Sequence, residues 1–566
     1  MKIAIAQLNP TIGDLKGNAQ RILEAAQRAS KEGARLLLTP ELSLCGYPPR
    51  DLLLDPSFVG EMSKTLIRLA TELPSGLAAL VGTVDLNVRS LQTGGKPLFN
   101  SVALLEEGEI RQIFHKRLLP TYDVFDEDRY FEPGNEANHF ILNLDSPEST
   151  QSSIHIGVTV CEDLWNDEEF WGKRTYHLNP IADLAQKGVD LTINLSASPY
   201  TVGKQKLRES MLKHGAIRFH QPMIYVNQVG GNDDLVFDGS SVVVDRQGNL
   251  VCRARGFEAD FVTVDYDFEK RDFLPGSIAP EPSCDEAEIW SALVLGVRDY
   301  ARKCGFSKVV LGLSGGVDSA LVAAIAASAL GAENVLGILM PSPYSSDHSV
   351  EDALSLAKNL GIQTQKLPIK HLMNAYDQTL EELFAGTSFG VAEENIQSRI
   401  RGTLLMAVAN KFGYLLISTG NKSEMAVGYC TLYGDMNGGL AAISDVPKTR
   451  VYSICEWLNR RDTSELIPSN ILTKPPSAEL KPGQVDQDSL PPYEVLDDIL
   501  DRFIHQHQSA TEIIAAGHAA TVVDRVVRLV TIAEFKRRQA PPGIKITDRA
   551  FGTGWRMPIA SKRQSY

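Results

Sequence analysis

One stretch constrains the fold more than any other. Lys308-Val309-Val310-Leu311-Gly312-Leu313 is an apolar run of strand length, and an alanine-rich helical run follows over residues 320–330. Between them lies Ser314-Gly315-Gly316-Val317-Asp318-Ser319. A strand, a glycine turn and a helix in succession form the opening unit of a doubly wound parallel sheet. The strand–helix pattern repeats over residues 335–340 and 349–360. A bare glycine pair would be an ordinary turn. Here the two glycines let backbone N–H groups approach phosphate oxygens, and the helix N-terminus behind them favours anions. Ser314 and Ser319 add hydroxyl donors, and Asp318 can hold the Mg²⁺ that accompanies a triphosphate. The Gly-Lys-Ser/Thr of a Walker A loop is missing, which argues against γ-phosphate transfer.

The first half also reads as strands alternating with helices. Strands are expected near residues 2–8, 34–38, 79–84, 101–105, 110–114, 154–160, 191–195, 223–228 and 240–244, and a helix over 18–32. Continuous apolar runs such as Ile156-Gly157-Val158-Thr159-Val160 suit strands covered on both faces of a layered α/β domain. The texture changes at Lys270-Arg271-Asp272-Phe273-Leu274-Pro275-Gly276 and Pro280-Glu281-Pro282, which read as a linker. A helix over 285–303 then opens the second half. The expected division is a domain over residues 1–265, a linker over 266–286 and a domain over 287–566, consistent with the size at which single cores stop growing. The polar, proline-rich stretch 472–490 reads as a mobile loop.

Net charge narrows the partners. At −14 over 566 residues the chain has no basic excess for general nucleic-acid or membrane-surface binding. The seven cysteines are scattered without a CxxC pair, so neither a disulfide framework nor a zinc site is expected. No apolar run reaches the roughly 20 residues of a membrane span. The opening Met1-Lys2-Ile3-Ala4-Ile5-Ala6 runs into strand-like sequence with no signal core, so a cytoplasmic location is expected.

The Ser314–Ser319 string resembles the pyrophosphate-releasing loop of the N-type ATP pyrophosphatases. Further strings follow in order: Asn395-Ile396-Gln397-Ser398-Arg399-Ile400-Arg401, Ile417-Ser418-Thr419-Gly420-Asn421-Lys422-Ser423-Glu424, Tyr433-Gly434-Asp435-Met436-Asn437-Gly438-Gly439, Asp445-Val446-Pro447-Lys448-Thr449, Pro476-Ser477-Ala478-Glu479-Leu480 and Lys536-Arg537-Arg538-Gln539. Taken singly, Arg399 and Arg401 read as a solvated helix face, and Glu424 as an ordinary acid at a helix start. Together the strings resemble the NAD synthetase family from about residue 288 to 558. That resemblance implies that Gly312, Leu313, Ser314, Gly315, Gly316, Val317, Asp318, Ser319 and Thr419 contact ATP. It implies that Asn395, Glu424 and Lys536 face deamido-NAD, that Asp318 and Glu424 share Mg²⁺, and that Lys448 meets the departing pyrophosphate. Asp435 would orient substrate or ammonia.

An amide-forming enzyme needs nitrogen, and ammonia is mostly the non-nucleophilic ammonium ion at pH 7. A linked glutaminase would supply it locally. Three strand ends in the first half carry the right groups: Glu41 after Leu36-Leu37-Leu38-Thr39-Pro40, Lys116 after the 110–114 strand, and Cys161 after the 154–160 strand. A carboxylate can take the thiol proton, the thiol can attack an amide carbon, and the ammonium can stabilise the oxyanion and help form thiolate. Alone, Cys161 would read as a buried small hydrophobe and Lys116 as a surface lysine. Pro40-Glu41-Leu42, His115-Lys116-Arg117-Leu118-Leu119-Pro120, Phe125-Asp126-Glu127-Asp128-Arg129-Tyr130-Phe131 and Val160-Cys161-Glu162-Asp163 resemble the nitrilase, or carbon–nitrogen hydrolase, family. The resemblance implies an αββα sandwich, with Glu127 as a second, positioning glutamate. It implies that Tyr122, Ser198 and Lys204 hold glutamine, the last two on flexible loops. The joint expectation is a ligase of NAD biosynthesis, with glutamine, ATP and deamido-NAD as substrates, ammonia passed between two sites and a homo-oligomeric assembly. The alternatives are another amidotransferase of the same ATP-loop group, such as a GMP synthetase, and a nucleotide sensor without catalysis. GMP synthetases carry a different, Cys-His-Glu glutaminase.

Overall fold

The computed structural model describes residues 1–144, 153–461, 465–481 and 483–561. Pro482, inside the expected loop, and residues 562–566, at the end of the expected second domain, lie outside the described residues. The chain divides into two compact units, Met1–Asn232 with Val236–Pro282 and Ser283–Tyr566 with Asp233–Leu235.

Two large sheets build the first unit. Asp272–Phe273, Asp260–Asp267, Lys2–Gln7, Leu36–Leu38, Ala78–Leu86, Leu98–Glu106 and Glu109–His115 lie side by side in one. Leu250–Arg253, Val242–Val244, Met223–Asn227, Leu191–Ser196, Ser153–Val160 and His139–Asn143 form the other. Ile3, Ile5, Leu36 and Leu38 from the first sheet share one buried core with Val158, Val160, Ile193, Leu195, Ile224 and Val226 from the second. Each such side chain contributes roughly 1.5–3 kcal/mol by leaving water. The opposite faces carry helices: Leu15–Lys31 and Pro56–Glu72 on one side, Pro180–Gln186 and Lys204–Phe219 on the other. The αββα sandwich follows from strands that are apolar on both faces. Helix Leu15–Lys31 buries Leu15, Ile22, Ala25, Ala26 and Ala29, spacings that make one stripe.

Several strands escape the sequence pattern. In His139–Asn143 an exposed Ile141 between buried Phe140 and Leu142 hides the alternation, and Asp260–Asp267 is half-buried along most of its length. The expected linker also begins as sheet: Asp260–Asp267 pairs antiparallel with Lys2–Gln7, and Asp272–Phe273 pairs with Tyr266–Asp267. Its polar residues belong to a sheet edge, where one side faces water.

The second unit contains a parallel sheet ordered Gln363–Lys366, Val335–Leu339, Val309–Gly312, Leu415–Ser418, Leu440–Ala441. The order reverses direction at Val309–Gly312, so this is a doubly wound sheet with its crevice at the carboxyl ends of Val309–Gly312 and Leu415–Ser418. Helix Val317–Leu330 is apolar nearly all round and correspondingly buried. Helix Asp285–Lys303 has acids in its first turn and bases in its last, matching the helix dipole.

Candidate active sites

In the first unit, four chain segments leaving the sheets converge. Glu41 follows Leu36–Leu38, Lys116 follows Glu109–His115, Cys161 follows Ser153–Val160, and Ala197-Ser198 follow Leu191–Ser196. The Lys116 ammonium, fully buried, donates to Glu41 Oε1 at 2.8 Å and to Glu127 Oε1 at 2.8 Å. Asn100 Nδ2 donates to Glu41 at 2.8 Å and to Glu127 at 3.3 Å, and the Tyr47 hydroxyl donates to Glu127 at 2.8 Å. The second Glu41 oxygen accepts from the Ala197 N–H at 2.9 Å. Both carboxylates are therefore pinned by fixed donors, which orients them without further reorganisation.

Cys161 sits in this field with a left-handed φ of 42° at the start of a short 3₁₀ turn. A non-glycine residue there carries roughly 1–2 kcal/mol of strain. Asp163 stabilises the turn: its carboxylate accepts from the N–H groups of Arg117, Leu118 and Val160 at 2.8–3.0 Å. Burial pushes Asp163 up to about 6 despite those donors.

Burial pushes the Cys161 thiol well up and Glu41 pushes it further, while Lys116 acts the other way and favours thiolate. Lys116 is opposed by burial, yet Glu127 and Glu41 outweigh that and hold its pKa well above the ordinary value. Burial likewise pushes Glu127 up to about 7 against the pull of Lys116.

The expected glutamine residues surround this cluster less tightly. The Tyr122 hydroxyl donates to Glu162 at 3.0 Å, as does Tyr176. Burial raises Glu162, while Lys116 and the two phenols pull against it. The Ser198 N–H donates to Asn227 Oδ1 at 3.0 Å. Lys204 is the first residue of helix Lys204–Phe219 rather than a loop residue, because left-handed Gly203 turns the chain directly into the helix. Its ammonium donates to the Pro199 carbonyl and lies 5.4 Å from the centre of the Trp165 ring.

In the second unit, a cavity of about 300 Å³ opens at the sheet crevice. All eight residues from Gly312 to Ser319 line it, with Thr419, Glu424, Lys448, Asp435 and Arg401. Gly315 has a φ of +80°, and a Cβ there would stand 2.2 Å from the Ser349 carbonyl oxygen, so only glycine fits. Lys448 donates to Asp318 and, at 3.1 Å, to Glu424. Asn421 donates to Asp318 at 2.9 Å and caps helix Lys422–Val427 through the Glu424 N–H. Asp497 accepts from the Ser423 hydroxyl and from the Thr449 N–H, bracing both carriers of the pair. Burial pushes Glu424 up to about 7 against the pull of Lys448. Lys448 is opposed by burial, but Asp318 and Glu424 raise it well above the ordinary range.

Two residues expected to face deamido-NAD, Asn395 and Lys536, do not line this cavity. Asn395 accepts from the Thr431 hydroxyl at 2.8 Å, and Thr431 is the residue that lines the cavity. Lys536 donates to the carbonyls of Gly428 and Cys430 at 2.7 Å. Part of the stretch expected as a mobile loop instead lines the cavity: Lys474 and Glu479 pair at 2.8 Å, and Glu479 accepts from Ser349 at 2.7 Å. Asn100, Tyr47 and Asp163 carry no role in the sequence reading. Asp163 had a usable signal, an acid two residues past a strand-end thiol, where it can cap the turn.

Asp318 and Glu424 converge on one ammonium, so their oxygens share one locus. Two carboxylates beside a phosphate-binding loop are the hard-oxygen set that Mg²⁺ takes, completed by water and phosphate. Among the described residues no group of three or more His, Cys, Asp or Glu side chains could hold a metal. Nor is any described helix long and apolar enough to cross a membrane.

Known proteins match both units. Residues 2–274 match the carbon-nitrogen hydrolase family and residues 289–540 the NAD synthase family. A glutamine-dependent NAD(+) synthetase of Synechocystis sp. is 61% identical over 99% of this chain and 98% of its own. One from Thermotoga maritima is 45% identical over 99% of both. The structure of a glutamine-dependent NAD+ synthetase from Acinetobacter baumannii, in complex with adenosine diphosphate, covers 100% of this chain and 99% of its own at 38% identity and a TM-score of 0.77. With a nitrilase-type cluster in one unit, an ATP-loop cavity in the other and full-length relatives at this identity, the chain belongs to the glutamine-dependent NAD(+) synthetase family.

Proposed function

We propose that residues 1–265 hydrolyse glutamine at Cys161 and residues 287–566 use the ammonia to convert deamido-NAD to NAD. The observation that carries the reading is the pairing of two buried clusters of opposite logic. One is a thiol among Glu41, Lys116 and Glu127. The other is a pair of carboxylates held by Lys448 beside a glycine loop.

At the first site Glu41 takes the thiol proton as Cys161 Sγ attacks the glutamine carboxamide carbon. Lys116 and a backbone N–H hold the developing oxyanion. Glu41 returns the proton to the leaving nitrogen, ammonia departs, and water hydrolyses the thioester to glutamate. Glu127, fixed by Tyr47 and Asn100, keeps Lys116 in place. Tyr122, Ser198 and Lys204 orient the amino-acid end of glutamine.

At the second site the nicotinate carboxylate attacks the α-phosphorus of ATP and pyrophosphate leaves. Ammonia then attacks the activated carbonyl, and AMP leaves with the amide formed. The loop Gly312–Ser319 and Thr419 hold ATP, and the adenosine diphosphate in the Acinetobacter relative supports that assignment. Asn395, Glu424 and Lys536 face deamido-NAD, and Asp435 orients substrate or ammonia. Asp318 and Glu424 would hold Mg²⁺, which would supply neutralisation of phosphate charge. Lys448 stabilises the pyrophosphate as it separates. Ammonia passes between the sites, and the protein assembles as a homo-oligomer, which light scattering on the eluting protein tests.

The activity test is AMP release from ATP, Mg²⁺ and deamido-NAD with glutamine or ammonium chloride. AMP is expected from both nitrogen sources. Absence of AMP with either overturns the reading.

A further inference from the structure

Beneath the glutaminase cluster, on the sheet face turned toward the helices, runs a buried polar row that the mechanism above does not use. Thr159, Asn194 and Tyr225 are cross-strand neighbours in register on Ser153–Val160, Leu191–Ser196 and Met223–Asn227. Their alternate neighbours, Val158, Val160, Ile193, Leu195, Ile224 and Val226, fill the core between the sheets, so the row faces the other way. All three are essentially fully buried. A buried polar row is costly unless its members satisfy one another, and once satisfied it is rigid.

The row leads to the nucleophile. Asn194 Nδ2 donates to the Thr159 hydroxyl at 3.0 Å and to the Cys161 backbone carbonyl at 3.4 Å. The Ser196 hydroxyl donates to Asn194 Oδ1 at 2.7 Å. Tyr225 neighbours Ser196, Arg208 and, electrostatically, Cys161. Its hydroxyl and Arg208 Nη1 are both buried without a hydrogen-bond partner, and the Arg208 guanidinium carbon lies 5.7 Å from the centre of the Tyr225 ring, so the guanidinium is available to donate to the hydroxyl and the hydroxyl to Ser196. Arg208 in turn pairs with buried Asp238.

The same pair also reaches the residues assigned to glutamine. Arg208 lies one helical turn after Lys204, on the same face of helix Lys204–Phe219. Asp238 accepts from Asn227 Nδ2 at 3.4 Å, Asn227 also donates to the Gly239 carbonyl at 3.0 Å, and Asn227 Oδ1 accepts the Ser198 N–H. One buried ion pair is thus joined to the carriers of Lys204 and Ser198, and Tyr225 stands between it and the Ser196–Asn194 bonds that reach the strained turn of Cys161.

We propose that Arg208, Asp238 and Tyr225 are positioning residues of the glutaminase, holding the Cys161 turn and the glutamine-binding residues in one fixed relation. This rests on the assignment of glutamine hydrolysis to Cys161. The two arms predict different kinetics. Tyr225→Phe keeps the ring and cuts only the link toward Cys161, so kcat for glutamine hydrolysis falls about tenfold while KM for glutamine stays within about twofold. Arg208→Lys keeps the charge opposite Asp238 but loses the planar fork, so KM rises and kcat falls together. Ammonia-driven synthesis and Tm stay at wild-type values in Tyr225→Phe.

The experiment measures glutamine hydrolysis, ammonia-driven synthesis and Tm for wild type, Tyr225→Phe, Arg208→Lys and Cys161→Ala. Wild-type glutamine kinetics in Tyr225→Phe overturns the proposal. So does an equal loss of glutamine- and ammonia-driven activity in that variant, which a merely structural role produces. If Arg208→Lys does not fold, Tyr225→Phe alone decides. Glutamine turnover persisting in Cys161→Ala overturns the site assignment instead, and a dead Cys161→Ala beside a wild-type Tyr225→Phe overturns only the positioning role.

Discussion

At the level of single residues, Glu41 both raises the Cys161 thiol and stands as its proton acceptor. Glu41→Gln should therefore lose glutamine hydrolysis because the proton acceptor is gone, while NAD formation from ammonium chloride stays near wild type. Equal loss with both nitrogen sources in that variant contradicts the account. Glu424 gives a pH signature. Burial lifts it from 4.5 to about 7, so between those values the folded chain binds more protons than the unfolded one. Its contribution to folding stability grows as pH falls through that window and is lost as pH rises to about 7. Metal binding runs the opposite way, since the carboxylate is protonated below about 7. Mg²⁺-dependent ATP affinity should weaken as pH drops below about 7 in wild type, and Glu424→Gln should flatten that part of the profile. Parallel profiles would remove Glu424 from the metal site. Glu41 and Cys161 were legible because each follows an apolar strand, and Lys116 because it directly follows the strand Glu109–His115. Asn100 and Tyr47 were not, because their role exists only once separate strands and turns bring them onto the same carboxylates.

At the level of elements, the loop after Val309–Gly312 is fixed by backbone geometry. Gly315→Ala places a methyl group against the Ser349 carbonyl and forces a left-handed alanine. The backbone cost alone is roughly 1–2 kcal/mol, and the displaced loop should bind ATP at least about tenfold more weakly. Calorimetric titration with ATP checks this, and unchanged affinity would mean the loop does not cradle phosphate. Helices Asp285–Lys303 and Asp347–Leu360 were readable from charge placement and apolar spacing. Strands His139–Asn143 and Asp260–Asp267 were not, since an exposed Ile141 in the first and half-buried positions through the second hide the alternation from the sequence. The segment from Lys474 to Glu479 read as a polar loop, but its polar groups are there to meet Ser349 and the cavity.

At the level of the whole molecule, the chain carries two distinct clusters, a thiol with carboxylates and an ammonium in one unit and carboxylates on an ammonium beside a glycine loop in the other. That division was legible because the residues of each cluster fall in one half of the chain. A route for ammonia was not legible, since no motif encodes one. Asp318 belongs to the second cluster alone, so Asp318→Ala should abolish synthesis from either nitrogen source. The most direct test of the two-site account is the rate of NAD formation by Cys161→Ala from glutamine and from ammonium chloride. The account predicts a loss of roughly a thousandfold or more with glutamine and a rate near wild type with ammonium chloride. Equal loss with both, or survival of the glutamine-driven rate, would contradict it.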